Sequence, residues 1–496
     1  MVSDPYSPSA SPSGDIEKIP TQIQGLDDIL NGGLPAGRVT LINGSPGTGK
    51  TVIGLEFLYR SALAGQPGIF ISFEETCENI RQNSLSLGWD LEALEAAGRL
   101  FLLEGQLDPE VLISGGFNLK GFLAIIEGKA EEMGARRVVI DALDFLLRIY
   151  NDPLQEQQQT LVLYNWLRKQ AITAVLTAKS PKGSTNGSRP HDYLDFMADC
   201  VLYLDQRLKE QVNTKRLQII KYRGSGYDSN ECPFLISPTG LFFYSVSDMA
   251  LHYPASPQRV TSGIATLDQI LGGGYQRSRC ILLTGASGVG KTSIASAFAG
   301  SATQKGERVL YVNYEESRDE MVANMNSIGI DLRPAIQNAF LQVESIMPEG
   351  LGIEEHLYHK MTAINRFQPA YVVMDAISAC KRIAGGRAAF DFVMRLVHFC
   401  KSRGITVLLT NQVRNYPGDD SFSGMGISSV IDTIIALWYK DMGNETGRIL
   451  KVVKSRGTAH SHKYHKFELT GNGIEIENAD EQVKQGVGRI TSPAQD

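Results

Sequence analysis

Short apolar runs of strand length alternate along the chain with longer stretches that have the period of an amphipathic helix. In the first half the apolar runs occupy residues 38–42, 68–73, 99–104, 136–141 and 171–178. This alternation predicts an α/β fold, with a mainly parallel, twisted sheet and helices on both faces. The pattern then becomes richer in β signal, and we expect residues 200–205 and 215–223 to extend the sheet as antiparallel strands.

A glycine-rich loop, Gly-Ser-Pro-Gly-Thr-Gly-Lys-Thr at residues 44–51, lies between the first strand and the first long helix. Its spacing is G-x-x-x-x-G-K-[ST], in which backbone N–H groups and a helix N-terminus face a phosphate. Lys50 is expected to reach the β- and γ-phosphates, and Thr51 to ligate Mg²⁺. A ligand-free glycine turn is the alternative, but the flanking strand and helix favour an ATP or ADP site built from Gly44, Ser45, Gly47, Thr48, Gly49, Lys50, Thr51 and Val52.

The same stretch recurs 241 positions later, at residues 285–292. The flanking sequences recur with it, since residues 25–33 resemble residues 265–274. Two unrelated loops would not share their flanks, so the chain is a tandem duplication. The second nucleotide site is expected to use Gly285, Ser287, Gly288, Val289, Gly290, Lys291, Thr292 and Ser293.

A chain of 496 residues with this duplication is expected to fold as two P-loop NTPase domains, each with its own core. A flexible leader, the first domain, a linker, the second domain and a polar tail are expected at residues 1–15, 16–247, 248–258, 259–480 and 481–496. The net charge of −6 argues against a nucleic-acid partner. Scattered cysteines and the lack of a long apolar run indicate a cytoplasmic protein without a membrane segment.

An aspartate ends the same apolar strand in both halves, Asp141 in the first and Asp375 in the second. The carboxyl end of a parallel strand is where an α/β sheet presents its ligand crevice. A carboxylate at that place holds Mg²⁺ together with the loop hydroxyl. We therefore expect Mg²⁺ at Thr51 with Asp141 and at Thr292 with Asp375. An aspartate that merely caps a helix is the alternative.

Paired glutamates follow the strand that comes after each glycine loop and its helix. They are Glu74 with Glu75 in the first half and Glu315 with Glu316 in the second. One carboxylate of each pair can orient or deprotonate the attacking water, and like-charge repulsion from its neighbour is expected to raise its pKa. A solvated loop is the alternative. Recurrence at the same spacing as the glycine loops favours a catalytic role for these residues.

A basic pair lies on a later strand of each half, Lys221 with Arg223 and Lys454 with Arg456. Residues two apart on a strand project from one face. Because each pair is distant in sequence from its own loop, we expect it to reach the nucleotide of a neighbouring subunit, as an arginine finger does. The alternative is a solvated basic face.

Together, the two loops, the paired glutamates and the Arg-Gly steps at 223–224 and 456–457 resemble the KaiC family of clock ATPases. The resemblance covers residues 16–485 and implies two tandem RecA-like domains in a double-ring homohexamer, with ATP bound between subunits. It further implies a slow ATPase in the first domain. For the second domain it implies an autokinase and autophosphatase that acts across the subunit interface.

The resemblance places the phosphoacceptors at Ser428 and Ser429, and it gives Glu315 the role of general base. The second acceptor is a serine where the family has a threonine, which keeps the hydroxyl. The equivalent first-half residues, Asp195 and Phe196, carry no hydroxyl, which agrees with phosphorylation in the second domain only. Ordinary loop hydroxyls are the alternative.

Residues 105–118 resemble the family's docking loop for KaiB, so a KaiB-like protein is the expected partner. The family's clock protein continues into a long tail that recruits KaiA, and this sequence stops after a short one, so KaiA is not expected to bind. The sequence therefore favours a circadian or hourglass timing ATPase. A KaiC-like signalling or stress-response ATPase, a RecA-like DNA-directed motor, and a ring that uses nucleotide only as structural glue remain as alternatives.

Overall fold

The computed structural model describes residues 16–105, 119–150, 152–179, 193–209, 212–244, 256–413, 426–442 and 446–478. Contacts divide the chain into two compact units, one from each half. Each unit is built on a nine-stranded sheet. Within the described ranges, no helix is both long enough and apolar enough to span a membrane.

The first unit contains strands and helices in alternation. Its strands are β1 (Lys18–Ile19), β2 (Leu34–Pro35), β3 (Val39–Gly44), β4 (Gly68–Ser72), β5 (Leu100–Glu104), β6 (Arg137–Asp141), β7 (Thr173–Lys179), β8 (Cys200–Lys209), β9 (Val212–Tyr222), β10 (Cys232–Ser237) and β11 (Gly240–Phe243). Its helices are α1 (Leu26–Ile29), α2 (Lys50–Leu63), α3 (Cys77–Leu85), α4 (Leu91–Ala96), α5 (Leu119–Met133), α6 (Leu143–Leu147), α7 (Pro153–Lys169) and α8 (Tyr193–Met197).

The second unit repeats this order. Its strands are β12 (Arg259–Val260), β13 (Tyr275–Gln276), β14 (Cys280–Gly285), β15 (Val309–Asn313), β16 (Leu341–Ser345), β17 (Tyr371–Asp375), β18 (Thr406–Gln412), β19 (Thr433–Asp441), β20 (Thr446–Ser455), β21 (His465–Thr470) and β22 (Gly473–Asn478). Its helices are α9 (Ala265–Ile270), α10 (Lys291–Gln304), α11 (Arg318–Ser327), α12 (Arg333–Gln337), α13 (Ile353–Phe367) and α14 (Cys380–Ser402).

The two sheets have the same topology. The first runs β11-β10-β9-β8-β3-β7-β6-β4-β5, and the second runs β22-β21-β20-β19-β14-β18-β17-β15-β16. In the first sheet the strands from β8 to β5 pair in parallel. Neighbouring residues of β4 point into separate cores, Phe70 into one and Ile69 into the other. The sheet is therefore covered on both faces, as a parallel sheet requires.

The expected antiparallel extension is partly wrong. The strand that begins at residue 200 is β8, which pairs in parallel with β3, and its counterpart β19 likewise pairs in parallel with β14. The short helix α8 lies between β7 and β8 in the chain. Antiparallel pairing is found farther out, between β9 and β10 and between β10 and β11. Strand β10 itself was absent from the sequence prediction.

Candidate nucleotide sites

The glycine that precedes each loop lysine has a left-handed backbone. Gly49 has φ 103° and Gly290 has φ 109°, and each immediately precedes a long helix, α2 or α10. Side-chain-bearing residues rarely adopt this conformation. A Cβ on Gly49 would also lie 3.0 Å from Ile236 Cδ1. The turn that aims the helix N-terminus at the loop therefore requires glycine.

Each loop lysine is buried inside its own loop. Lys50 Nζ donates to the carbonyl oxygens of Gly44 (2.9 Å) and Ser45 (3.0 Å), and Lys291 Nζ donates to those of Gly285 (3.0 Å) and Ala286 (2.7 Å). The two lysines are 9% and 8% exposed. Burial lowers the pKa of both ammonium groups, and nearby carboxylates oppose that shift.

Neither lysine forms an ion pair within the part of the chain that the structure describes. A buried charge without a counter-ion is costly, so such groups normally face an anion. A Cβ on Gly47 would meet nothing within 4 Å, which leaves open space beside the loop. The buried ammonium and the open loop together fit the phosphate chain of a nucleotide.

The remaining loop residues differ between the two halves in the groups that they can offer to a ligand. Thr48 Oγ1 donates to the Ser45 carbonyl oxygen at 2.8 Å and so fixes the loop. Val289 stands at the equivalent position and is fully buried in the second core, so only its backbone can face a ligand. In the first turn of α2, Val52 packs against the core, whereas Ser293 is buried in the first turn of α10.

In the first half, the strand-end aspartate contacts the loop hydroxyl. Asp141 Oδ2 accepts a hydrogen bond from Thr51 Oγ1 at 2.9 Å, and Asp141 Oδ1 accepts one from Thr177 Oγ1 at 2.6 Å. Asp141 is 3% exposed, and burial raises its pKa. A buried carboxylate beside a threonine hydroxyl has the oxygen donors that Mg²⁺ prefers. The pair that sequence assigned to Mg²⁺ therefore lies together.

In the second half, Asp375 has different hydrogen-bond partners. It accepts from Tyr311 Oη at 2.8 Å and from Thr410 Oγ1. Thr292 follows the loop lysine in the first turn of α10, as Thr51 does in α2. Sequence reasoning missed Tyr311 because a tyrosine inside an apolar strand is typical of a core residue.

The first glutamate of each pair lies at the site, but with different neighbours. Glu74 Oε1 is 2.6 Å from Lys179 Nζ, and both side chains are partly exposed. Burial raises the pKa of Glu315, and Asp375 adds to the effect. Lys291 and Arg382 oppose this rise, and repulsion from Glu316 is the smallest contribution. The predicted cause, repulsion within the pair, is therefore a minor one.

The second glutamate of each pair contacts the helix that follows it. Glu75 Oε2 accepts a hydrogen bond from Asn83 Nδ2 at 3.1 Å, and Glu316 Oε2 accepts one from Asn324 Nδ2 at 3.0 Å. Both asparagines come eight residues after their glutamate, on α3 and α11. These contacts give Glu75 and Glu316 a role in holding the loop, whereas Glu74 and Glu315 remain the nearer candidates for a base.

A comparison with protein families identifies the family of a chain that carries these two sites. A family model described as "ATPase: KaiC" matches residues 19–247 and 260–481, which include both loops. The chain belongs to the KaiC ATPase family. This membership supports nucleotide binding and ATP hydrolysis by the chain, and Mg²⁺ is the usual metal of such ATPases.

Full-length relatives within the KaiC family include circadian clock proteins. The chain is 37% identical over 480 residues to the "Circadian clock protein KaiC2" of a Synechocystis species, covering 95% of this chain and 84% of the relative. It is 34% identical over 475 residues to the circadian clock oscillator protein KaiC of Thermostichus vulcanus, covering 95% and 91%. The corresponding Synechococcus elongatus protein is 34% identical over 466 residues, covering 94% and 90%.

The basic pairs hold the segment that precedes β8 or β19. Lys221 and Arg223 donate to the carbonyl oxygens of Asp195 and Phe196 in the first unit. In the second unit, Lys454 Nζ donates to the Ile431 carbonyl at 2.9 Å and Arg456 Nη2 to the Ser429 carbonyl at 2.8 Å. Ser428 and Ser429 lie in the 3₁₀ helix Ile427–Ser429, and Ser429 is exposed. Of the KaiB-like docking segment, residues 106–118 lie outside the described residues.

Proposed function

We propose that this KaiC-family chain is a Mg²⁺-ATP-dependent ATPase and serine autokinase and autophosphatase that works in a circadian or hourglass timing system. The observation that carries the proposal is the duplicated pair of buried groups, a strand-end aspartate and a loop lysine that forms no ion pair within the described residues. The similarity of the whole chain to named clock proteins supports the timing role.

The residues divide into binding and proton-accepting roles. Lys50 and Lys291, with the loop N–H groups, bind the phosphate chain. Thr51 with Asp141, and Thr292 with Asp375, are the proposed Mg²⁺ ligands, and the ion when bound offsets charge on the β- and γ-phosphates. Glu74 accepts the proton of the attacking water in the first site, and Glu315 accepts the proton of the attacking hydroxyl in the second site.

Autophosphorylation is proposed for the second unit alone. Ser428 and Ser429 occupy a segment whose first-unit counterpart, Asp195 and Phe196, has no hydroxyl group. Arg456 donates to the backbone of Ser429 and so fixes the acceptor segment at the start of β19. Glu315 suits the base role because its raised pKa makes it a stronger proton acceptor than an ordinary glutamate.

The proposed assembly is a double-ring homohexamer in the cytoplasm. In that arrangement the strands that carry Lys221, Arg223, Lys454 and Arg456 face the nucleotide of the neighbouring subunit. A KaiB-like protein is the proposed regulator, through residues 105–118. The similarity to circadian clock oscillator proteins supports a clock setting, and complex formation with a purified KaiB-like protein tests the proposed regulator.

Mass spectrometry of the assembled protein incubated with Mg²⁺-ATP tests the autokinase. We expect phosphate on Ser428 or Ser429, its loss in the Ser428→Ala/Ser429→Ala variant, and its loss in Glu315→Gln. Ser327→Ala is the matched control because Ser327 is an exposed serine of the same unit, on α11. ATP hydrolysis with both acceptor serines unmodified would contradict the autokinase and favour a KaiC-like signalling ATPase.

A further inference from the structure

The two candidate bases differ in the charge that faces them. In the first unit, the Glu74 carboxylate forms an ion pair with Lys179, with 2.6 Å between Oε1 and Nζ. The lysine side chain is 33% exposed and the glutamate side chain 48% exposed, so this pair lies at the mouth of the site and not in the core. The cations that act on the Glu315 carboxylate are the loop lysine Lys291 and Arg382.

The backbone of Lys179 is held by strand pairing and by a hydrogen bond to a buried aspartate. Lys179 ends β7 and lies opposite Gly44, the first glycine of the loop, in the register of β7 with β3. Its backbone N–H donates to Asp144 Oδ1 at 3.0 Å, and Asp144 is buried. Two residues earlier on the same strand, Thr177 holds Asp141. One strand end therefore positions both the aspartate and the cation that pairs with Glu74.

The second unit repeats this framework without the cation. Gln412 ends β18 opposite Gly285, which is the place of Lys179 in the first unit. Its backbone N–H donates to Ser378 Oγ at 3.3 Å, and Thr410, two residues earlier, donates to Asp375. The hydrogen-bond scaffold is thus shared by the two halves, and the residue that ends the strand is a lysine in the first unit and a glutamine in the second.

We propose that Lys179 is a positioning residue that restrains ATP hydrolysis at the first site through its ion pair with Glu74. The inference rests on the proposed role of Glu74 as the base. In hydrolysis the water oxygen bonds to the γ-phosphorus, the bond to the ADP oxygen breaks, and the water proton passes to a Glu74 oxygen. The Lys179 ammonium stabilises the anionic carboxylate and occupies one of its oxygens, so it opposes this proton transfer.

The alternative is that Lys179 speeds hydrolysis. In that role its ammonium leaves Glu74 and contacts the γ-phosphate. In that case the ammonium would stabilise charge that develops in the transition state, and its removal would slow hydrolysis. The two roles therefore predict rate changes of opposite sign. Replacement by the residue that the second unit already carries, glutamine, separates them with little change in side-chain volume.

The test uses the full-length protein with Glu315→Gln in every sample, so that the second site is silent. Lys179→Gln is expected to raise kcat about threefold, since exposed ion pairs contribute only modestly, with a smaller change in KM. Lys179→Arg keeps the cation and is expected to keep the parent rate. When Glu74→Gln is also present, Lys179→Gln is expected to have no further effect, because the lysine acts through Glu74.

A fall in kcat for Lys179→Gln would overturn the inference, as would an effect that persists in the Glu74→Gln background. If Glu74→Gln alone leaves hydrolysis unchanged, the assignment of the base in the proposed function is wrong, and the inference falls with it. The reciprocal variant, Gln412→Lys on the otherwise native chain, is expected to slow phosphorylation of Ser428 and Ser429 about threefold. An unchanged or faster rate there would contradict the restraining role.

Discussion

The two halves have the same phosphate-binding loop but differ in the side chains that pack around the residue before each glutamate pair. In the first unit, Phe73 and Phe122 form a ring pair with centroids 5.7 Å apart. In the second unit, Tyr314 and His356 form a ring pair at the same separation. One turn along the helix, the apolar Ile126 of α5 is matched by Lys360 of α13, the eighth residue of each helix.

Lys360 is 1% exposed and its Nζ lies 2.6 Å from Glu344 Oε2. Burial lowers the pKa of this ammonium, and Glu344 partly offsets the shift. Both halves therefore share the nucleotide framework, while the second unit has titratable groups near Tyr314 where the first unit has apolar side chains. This divergence fits two sites that carry out different reactions on the same substrate.

The largest expected effect comes from the proposed base of the second site. Glu315→Gln is expected to lower phosphorylation of Ser428 and Ser429 about a hundredfold, because general-base catalysis contributes at least that much. Gln is nearly isosteric, so nucleotide binding is expected to remain. Phosphate incorporation measured against bound nucleotide checks both. An equal loss of binding and phosphorylation would show that Glu315 is structural.

The pH dependence of serine phosphorylation tests the same assignment of Glu315 as the base. The carboxylate is the form of Glu315 that can act as the proposed base, and its pKa lies above the usual 4.5 because of burial and Asp375. Activity is therefore present above the raised pKa and is lost as pH falls through it. An acid limb at or below pH 4.5 would contradict a raised pKa for Glu315. Lys291, Arg382 and Glu316 are the other charged groups that act on this carboxylate.

The buried ion pair behind the second site gives the next largest effect. Glu344→Gln leaves the Lys360 ammonium buried without its counter-ion and is expected to destabilise the second unit by about 2 kcal/mol. The double variant Lys360→Ile/Glu344→Leu copies Ile126 and Leu103 of the first unit and is expected to restore stability. Chemical denaturation of both variants checks this. A double variant no more stable than Glu344→Gln would contradict an ion pair that replaces apolar packing.

The smallest effect is expected at Tyr311. Phe70 takes its place in β4, so Tyr311→Phe converts the second site towards the first. Loss of one hydrogen bond to the buried Asp375 is expected to cost about 1 kcal/mol of stability. The unfolding midpoint measures this, and Tyr439→Phe, at an exposed tyrosine of the same unit, is the control. No change in the midpoint would mean that Thr410 alone satisfies Asp375.

Sequence patterns predicted the duplicated α/β fold because the apolar strands, glycine loops and strand-end aspartates are all local signals. They predicted Thr51 beside Asp141, since the glycine loop and the end of β6 meet at one edge of the sheet. They failed for the direction of β8, because the direction in which a strand pairs depends on the connection before it and not on the strand's own residues.

Local sequence patterns also could not predict which groups surround the two proposed bases. Repulsion from Glu316 was expected to dominate the pKa of Glu315, but burial dominates, and burial depends on packing that spacing does not reveal. Lys179 had a detectable signal, since a lysine that ends a buried strand next to the loop strand is unusual. Its contact with Glu74, 105 residues away, required the fold.

The most direct test of two distinct ATP sites measures phosphate release and serine phosphorylation in one reaction, for Lys50→Ala, Lys291→Ala and the exposed-lysine control Lys305→Ala. The assembly state of each variant is recorded alongside. We expect Lys291→Ala to lose phosphate on Ser428 and Ser429 but to keep hydrolysis at the first site. We expect Lys50→Ala to lose first-site hydrolysis and the control to lose neither. Phosphate on the serines of assembled Lys291→Ala would contradict the central claim.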